Sequence, residues 1–151
     1  MVAMGGEYKK IFAALDGGST MQEVAQRAVH AASSNHASLL LGHVLDAVPD
    51  ALTPVDYREL CERIRERIED ELADVLEKAK ADPNIPSVEV QVKSGQIQNT
   101  LTKGFIEPFD PDLVICGERG LSDIKYVFVG STSTFLIRNL RCDVLVVKQE
   151  R

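Results

Sequence analysis

Apolar and polar positions alternate along this chain in two rhythms. Tyr8 to Leu15 is a short strand pattern that ends in Asp16-Gly17-Gly18. Ser38 to Leu45 is almost wholly apolar, as expected of a strand buried on both faces. Val88, Val90 and Val92 alternate with Glu89, Gln91 and Lys93, which predicts a strand with one buried face at a sheet edge. Leu113 to Cys116 and Asp143 to Lys148 supply a fourth and a fifth strand. Helical spacing fills the intervals. Ser19, with Gln22 three residues on, reads as a capping box that opens a helix to about Asn35. Pro49 and Pro54 mark a loop. Tyr57, Leu60, Cys61, Ile64, Ile68, Leu72, Val75, Leu76 and Ala79 then predict one long amphipathic helix from Val55 to Ala81. Gln96 to about Glu107 is helical in tendency, weakened by Gly104 and ended before Pro108. Ser131 to Asn139 is the last helix.

Strands and helices that alternate in this way imply an α/β fold, a doubly wound five-stranded parallel sheet with helices on both faces. With right-handed crossovers and the order 3-2-1-4-5, the winding reverses between the first and fourth strands. Ligands in such sheets sit at the carboxyl ends of the strands at that reversal. Asp16-Gly17 and Gly117, a hundred residues apart in sequence, would meet there. The length suits a single domain over residues 1–151, with 1–7 a loose lead-in.

Composition narrows the function. A formal charge of −6 argues against non-specific nucleic-acid binding. Arg58, Arg63, Arg65 and Arg67 interleave with acidic residues and read as a solvated helix face. No apolar run reaches the roughly 20 residues of a membrane span, and the first residues lack a signal-peptide pattern, so no membrane role and a cytoplasmic location are expected. Cys61, Cys116 and Cys142 are three and widely spaced, the pattern of buried thiols in a reducing compartment. His30, His36 and His43 have no metal-ligand spacing, and His43 on an interior strand reads as a satisfied core histidine.

One segment suggests a ligand. Gly117-Glu118-Arg119-Gly120 is followed, after nine residues, by Gly130-Ser131, giving G-x2-G-x9-G-[ST] between a strand and a helix start. Glycines there let backbone N–H groups and the helix N-terminus meet phosphate. A Walker lysine is missing from the loop, and there is no nucleophile–base pair or carboxylate pair beside it. The segment therefore suits holding a phosphate better than rapid turnover.

From Tyr8 to Lys148 the chain resembles the universal stress protein family. Lys10-Ile-Phe-Ala-Ala-Leu-Asp16-Gly17, Leu41-Gly-His43-Val44, Asp110-Pro-Asp112-Leu-Val-Ile-Cys116-Gly117, the glycine loop and Cys142-Asp-Val-Leu-Val-Val147 carry the resemblance. The loop is similar to that of the family's ATP-binding branch. The resemblance implies ATP, ADP or AMP as ligand, with Mg or Mn accompanying it. It implies Asp16 beside the nucleoside, Val44 against adenine, and Cys116 and Gly117 near ribose and phosphates. Gly120, Gly130, Ser131 and Ser133 would hold the phosphates, with Thr132 contributing backbone. It also implies a homodimer through Asp143 to Lys148, and a nucleotide-dependent regulator or adaptor with at most weak ATPase activity. Three positions depart from the family pattern: Asp16-Gly17-Gly18 for Asp-Gly-Ser, Asp143 where proline is common, and Glu118 inside the loop. The alternatives are a slow ATPase, a nucleotide-free protein–protein adaptor, and, more distantly, a flavodoxin-like carrier that the lack of tryptophan disfavours.

Overall fold

A computed structural model describes residues 8–18, 20–46, 52–118 and 131–148. Five strands, β1 (Lys10–Leu15), β2 (Ser38–Asp46), β3 (Val88–Gly95), β4 (Leu113–Gly117) and β5 (Asp143–Val147), form one parallel sheet in the order β3-β2-β1-β4-β5. The winding reverses between β1 and β4, as the sequence predicts, with Ala14 level with Cys116. Side-chain clamps fix the amino ends of three strands. The Asp112 carboxylate accepts from the N–H of Lys9 at 2.8 and 3.1 Å and from that of Lys10 at 3.1 Å. Tyr8 Oη donates to Asp143 Oδ2 at 2.5 Å. Asp143, one of the departures from the family pattern, thus ties the start of β5 to the residues before β1.

Alternation along the strands splits the core in two. On one face Ile11, Ala13 and Leu15 of β1, Leu39 and Leu41 of β2, and Ile115 of β4 pack with helix α1 (Met21–Asn35) and with α2 (Pro54–Glu71) and α3 (Ala73–Ala81). On the other, Phe12, Leu40, Val114 and Cys116 pack with the helical stretch after β3 and with Leu136 of the last helix, α6 (Ser131–Asn139). Phe12 and Phe105 stack with ring centroids 5.3 Å apart. Gly42 leaves room for them: a Cβ there would lie 2.6 Å from Phe12 Cε1 and 3.0 Å from Phe105 Cε1.

Three expected elements differ in detail. Helix α1 begins at Met21 with Thr20 as N-cap, and the Thr20 hydroxyl donates to Asp16 Oδ2 at 3.0 Å instead of capping the helix; the expected cap, Ser19, lies outside the described residues. The long helix is two helices that meet at Leu72. The Glu71 carbonyl, which an unbroken helix would give to Val75, accepts from Gln22 Nε2 of α1 at 2.6 Å, and the ladder breaks there. Pro54, expected in a loop, is instead the first residue of α2. Thr53 and Asp56 close a reciprocal capping box around it, with Thr53 Oγ1 accepting from Asp56 N at 3.1 Å.

The helix after β3 does not stop before Pro108. It runs as α4 (Ile97–Asn99), a π-helical stretch Thr100–Ile106, and α5 (Glu107–Phe109). Proline inside a helix strands the carbonyl four residues back. In the α-helical register that resumes with Asp110 N–H on the Ile106 carbonyl, that carbonyl belongs to Gly104, and Lys93 Nζ of β3 donates to it at 2.6 Å. The same ammonium lies 5.0 Å from the Phe105 ring centroid. Lys93, expected on the open face of an edge strand, supplies what Pro108 lacks.

Candidate functional site

β1 and β4 end side by side where the winding reverses. On the β1 side the chain leaves the strand at Leu15 and turns through Asp16 and Gly17. Asp16 Oδ1 accepts from the N–H of Gly18 at 2.8 Å, and Oδ2 from the Thr20 hydroxyl. Both carboxylate oxygens therefore hold the turn that leads into α1. Gly17 has φ +78°, a conformation that glycine adopts without strain. His43 lies against this turn. Its Nδ1 is 2.8 Å from the Leu15 carbonyl oxygen. A carbonyl only accepts, so Nδ1 carries the proton. The ring is half-buried, not enclosed in the core.

On the neighbouring strand, Cys116 and Gly117 end β4. Cys116 is 3 % exposed, and burial pushes its thiol pKa up against a smaller opposing effect of its contact with Ser133. It remains a neutral thiol near pH 7 and is not an activated nucleophile. Ser133, in the first turn of α6, is 2 % exposed; its hydroxyl donates to the Gly117 carbonyl at 2.7 Å and lies 3.6 Å from Cys116 Sγ. This bond fixes the start of α6 to the end of β4. The Ser133 hydroxyl is thereby committed to backbone, which leaves its N–H as the group it can offer a ligand. Glu118, whose N–H donates to the Val147 carbonyl at 2.8 Å, continues the join of β4 to β5.

Of the residues singled out in the sequence, Asp16 follows β1, Cys116 and Gly117 end the neighbouring strand β4, Ser133 is joined to Gly117, and Ser131 and Thr132 open α6. Val44 lies one strand away, half-buried against the Phe12–Phe105 cluster. Gly120 and Gly130 lie outside the described residues. Two contacts were not readable in the sequence. The link from Ser133 to Gly117 joins residues 16 apart and has no sequence signature. His43 was read as a satisfied core histidine, and its contacts with the Leu15 carbonyl and with the Gly17 turn were not foreseen. Among the described residues no group of three His, Cys, Asp or Glu side chains could hold a metal ion, and no helix is long and apolar enough to cross a membrane.

Comparison with known proteins adds the family. The model described as the universal stress protein family matches residues 7–148. The chain belongs to the universal stress protein family. A relative from Staphylococcus saprophyticus, named for the same family, is 29 % identical over 143 residues, which are 95 % of this chain and 85 % of the relative. The solved structure of the universal stress protein UspA from Lactobacillus plantarum superposes with a TM-score of 0.72 at 22 % identity, covering 93 % of this chain and 97 % of that one. A universal stress protein solved in complex with cAMP superposes at 0.62 and 22 % identity, covering 93 % and 96 %. At these identities the structures establish the shared fold, the five-stranded parallel sheet of order 3-2-1-4-5.

Proposed function

We propose that this universal stress protein binds ATP, or the related ADP or AMP, in the crevice between β1 and β4 and acts as a nucleotide-dependent stress regulator or adaptor. The supporting observation is the Ser133–Gly117 bond, which sets the first turn of α6 against the end of β4. The N–H groups of a first helical turn lack intrahelical acceptors, and the helix dipole adds to their attraction for phosphate. The cAMP bound by a fold relative supports an adenine nucleotide as the ligand class. In this reading Val44 lines adenine, Asp16 meets the nucleoside, and Gly117, Gly120, Gly130 and the first turn of α6, Ser131 to Ser133, meet the phosphates. Cys116 borders the ribose side as a neutral thiol. Mg or Mn would arrive on the phosphate oxygens. Hydrolysis is slow at most, because Cys116 is protonated and the Asp16 oxygens are engaged by Gly18 and Thr20.

The reading includes a homodimer through β5. That strand ends the sheet, and Val144, Leu145 and Val146 are only half-buried. Pairing with a second copy would cover a bare edge. Isothermal titration with Mg-ATP tests the nucleotide, and light scattering after size exclusion tests the dimer. Absence of binding heat, with a protein that purifies free of nucleotide, would favour the nucleotide-free adaptor.

A further inference from the structure

We infer that His43 is the positioning residue of the proposed nucleotide site: it holds the β1 turn in the conformation that presents Asp16. This rests on the nucleotide reading above. His43 is level with Leu15 in the parallel pairing of β2 with β1. Its Nδ1–H donates to the Leu15 carbonyl at 2.8 Å, on the residue before Asp16. Its ring also lies under Gly17, the residue after Asp16: a Cβ at position 17 would stand 3.2 Å from His43 Cε1 and 3.7 Å from each ring nitrogen. The imidazole therefore brackets Asp16, gripping the chain on both sides of it. Gly17, at φ +78°, adopts the turn without strain and has no Cβ to press on the ring. The carboxylate itself is oriented from the other direction by Gly18 and Thr20. Removing His43 leaves those two bonds intact but frees the backbone that carries them.

The donor is the essential property, so size and hydrogen bonding can be separated. In His43→Asn, the side-chain NH2 stands close to the place of Nδ1 and can still donate to Leu15. In His43→Leu, bulk is kept and the donor is lost. Isothermal titration of the folded full-length proteins with Mg-ATP should show His43→Leu binding about tenfold more weakly, the scale of one hydrogen bond, while His43→Asn stays within about threefold of the parent. Gly17→Ala, which presses on the ring from above, should also weaken binding and covers the case in which His43→Leu does not fold. Nitrogen-15 NMR of the imidazole should find the proton on Nδ1 with and without nucleotide. A purely structural role would lower the melting temperature of His43→Leu and leave its affinity unchanged. That result, or an Nε2–H tautomer, overturns the inference alone. Parent protein that binds no nucleotide overturns the site and the inference together.

Discussion

Replacing Lys93 with methionine keeps most of the side chain's apolar stem and deletes the ammonium. The change leaves the Gly104 carbonyl without its donor, and Pro108, four residues on, has no N–H to offer. An unsatisfied backbone acceptor costs about 1–3 kcal/mol, towards the lower end for the half-buried setting here. Loss of the cation–π contact with Phe105 adds about 0.5–1 kcal/mol. The expected destabilisation is therefore about 2 kcal/mol, or a melting temperature lower by about 4–8 °C for a chain of this size. Calorimetry and urea denaturation measure it directly. Pro108→Ala supplies the missing N–H, so the double variant should recover at least half of what Lys93→Met loses, a coupling that a double-mutant cycle reads. If Lys93→Met costs under about 0.5 kcal/mol, or Pro108→Ala rescues nothing, the lysine is not replacing the proline's donor.

Other expectations follow from single contacts. Gly42→Ala forces a methyl against Phe12 and Phe105 and should destabilise by about 1–3 kcal/mol in the same assays; a neutral result would mean the aromatic pair can retreat. Cys116, buried and with its thiol pKa raised, should resist alkylation at pH 8 until the protein is denatured, which mass spectrometry of the labelled peptides can follow. The Asp82 carboxylate accepts from the Ser33 hydroxyl at 2.6 Å and the Asn84 N–H at 2.8 Å, and these bonds hold its pKa below the ordinary 3.8. Its folded pKa is depressed, so its contribution is present above the unfolded value and is lost as pH falls through the folded one. The gap in urea midpoint between parent and Asp82→Asn should be widest near neutral pH and close below the ordinary aspartate range. A gap that persists at low pH would show that ionisation of Asp82 is not its source.

Periodicity made the sheet readable. Alternating Val88, Val90 and Val92 marked β3 as an edge, and the apolar run of β2 marked an interior strand, because burial on one face or two is written into which positions are apolar. The break at Leu72 was not readable. It depends on Gln22 of another helix reaching the Glu71 carbonyl, and no local pattern records that contact. The continuation past Pro108 was misread for the same reason, since its remedy, Lys93, comes from a neighbouring strand. The placing of Asp16 and Gly117 at the ends of neighbouring strands was readable from turn chemistry and strand ends. The part played by Ser133 was not, because a serine in a first helical turn reads equally as a cap, a ligand contact or a tie to the adjoining strand. Only the fold decided that its hydroxyl goes to Gly117.

In the proposed function, an adenine nucleotide lies between β1 and β4 on the glycine loop and the start of α6. Isothermal titration of the parent protein and of Gly130→Val with Mg-ATP tests it most directly. The parent protein should show one saturable site per chain and Gly130→Val none, because the valine side chain would fill the space a phosphate needs. Equal binding by both proteins, or no binding by the parent after any carried nucleotide is removed, would contradict it.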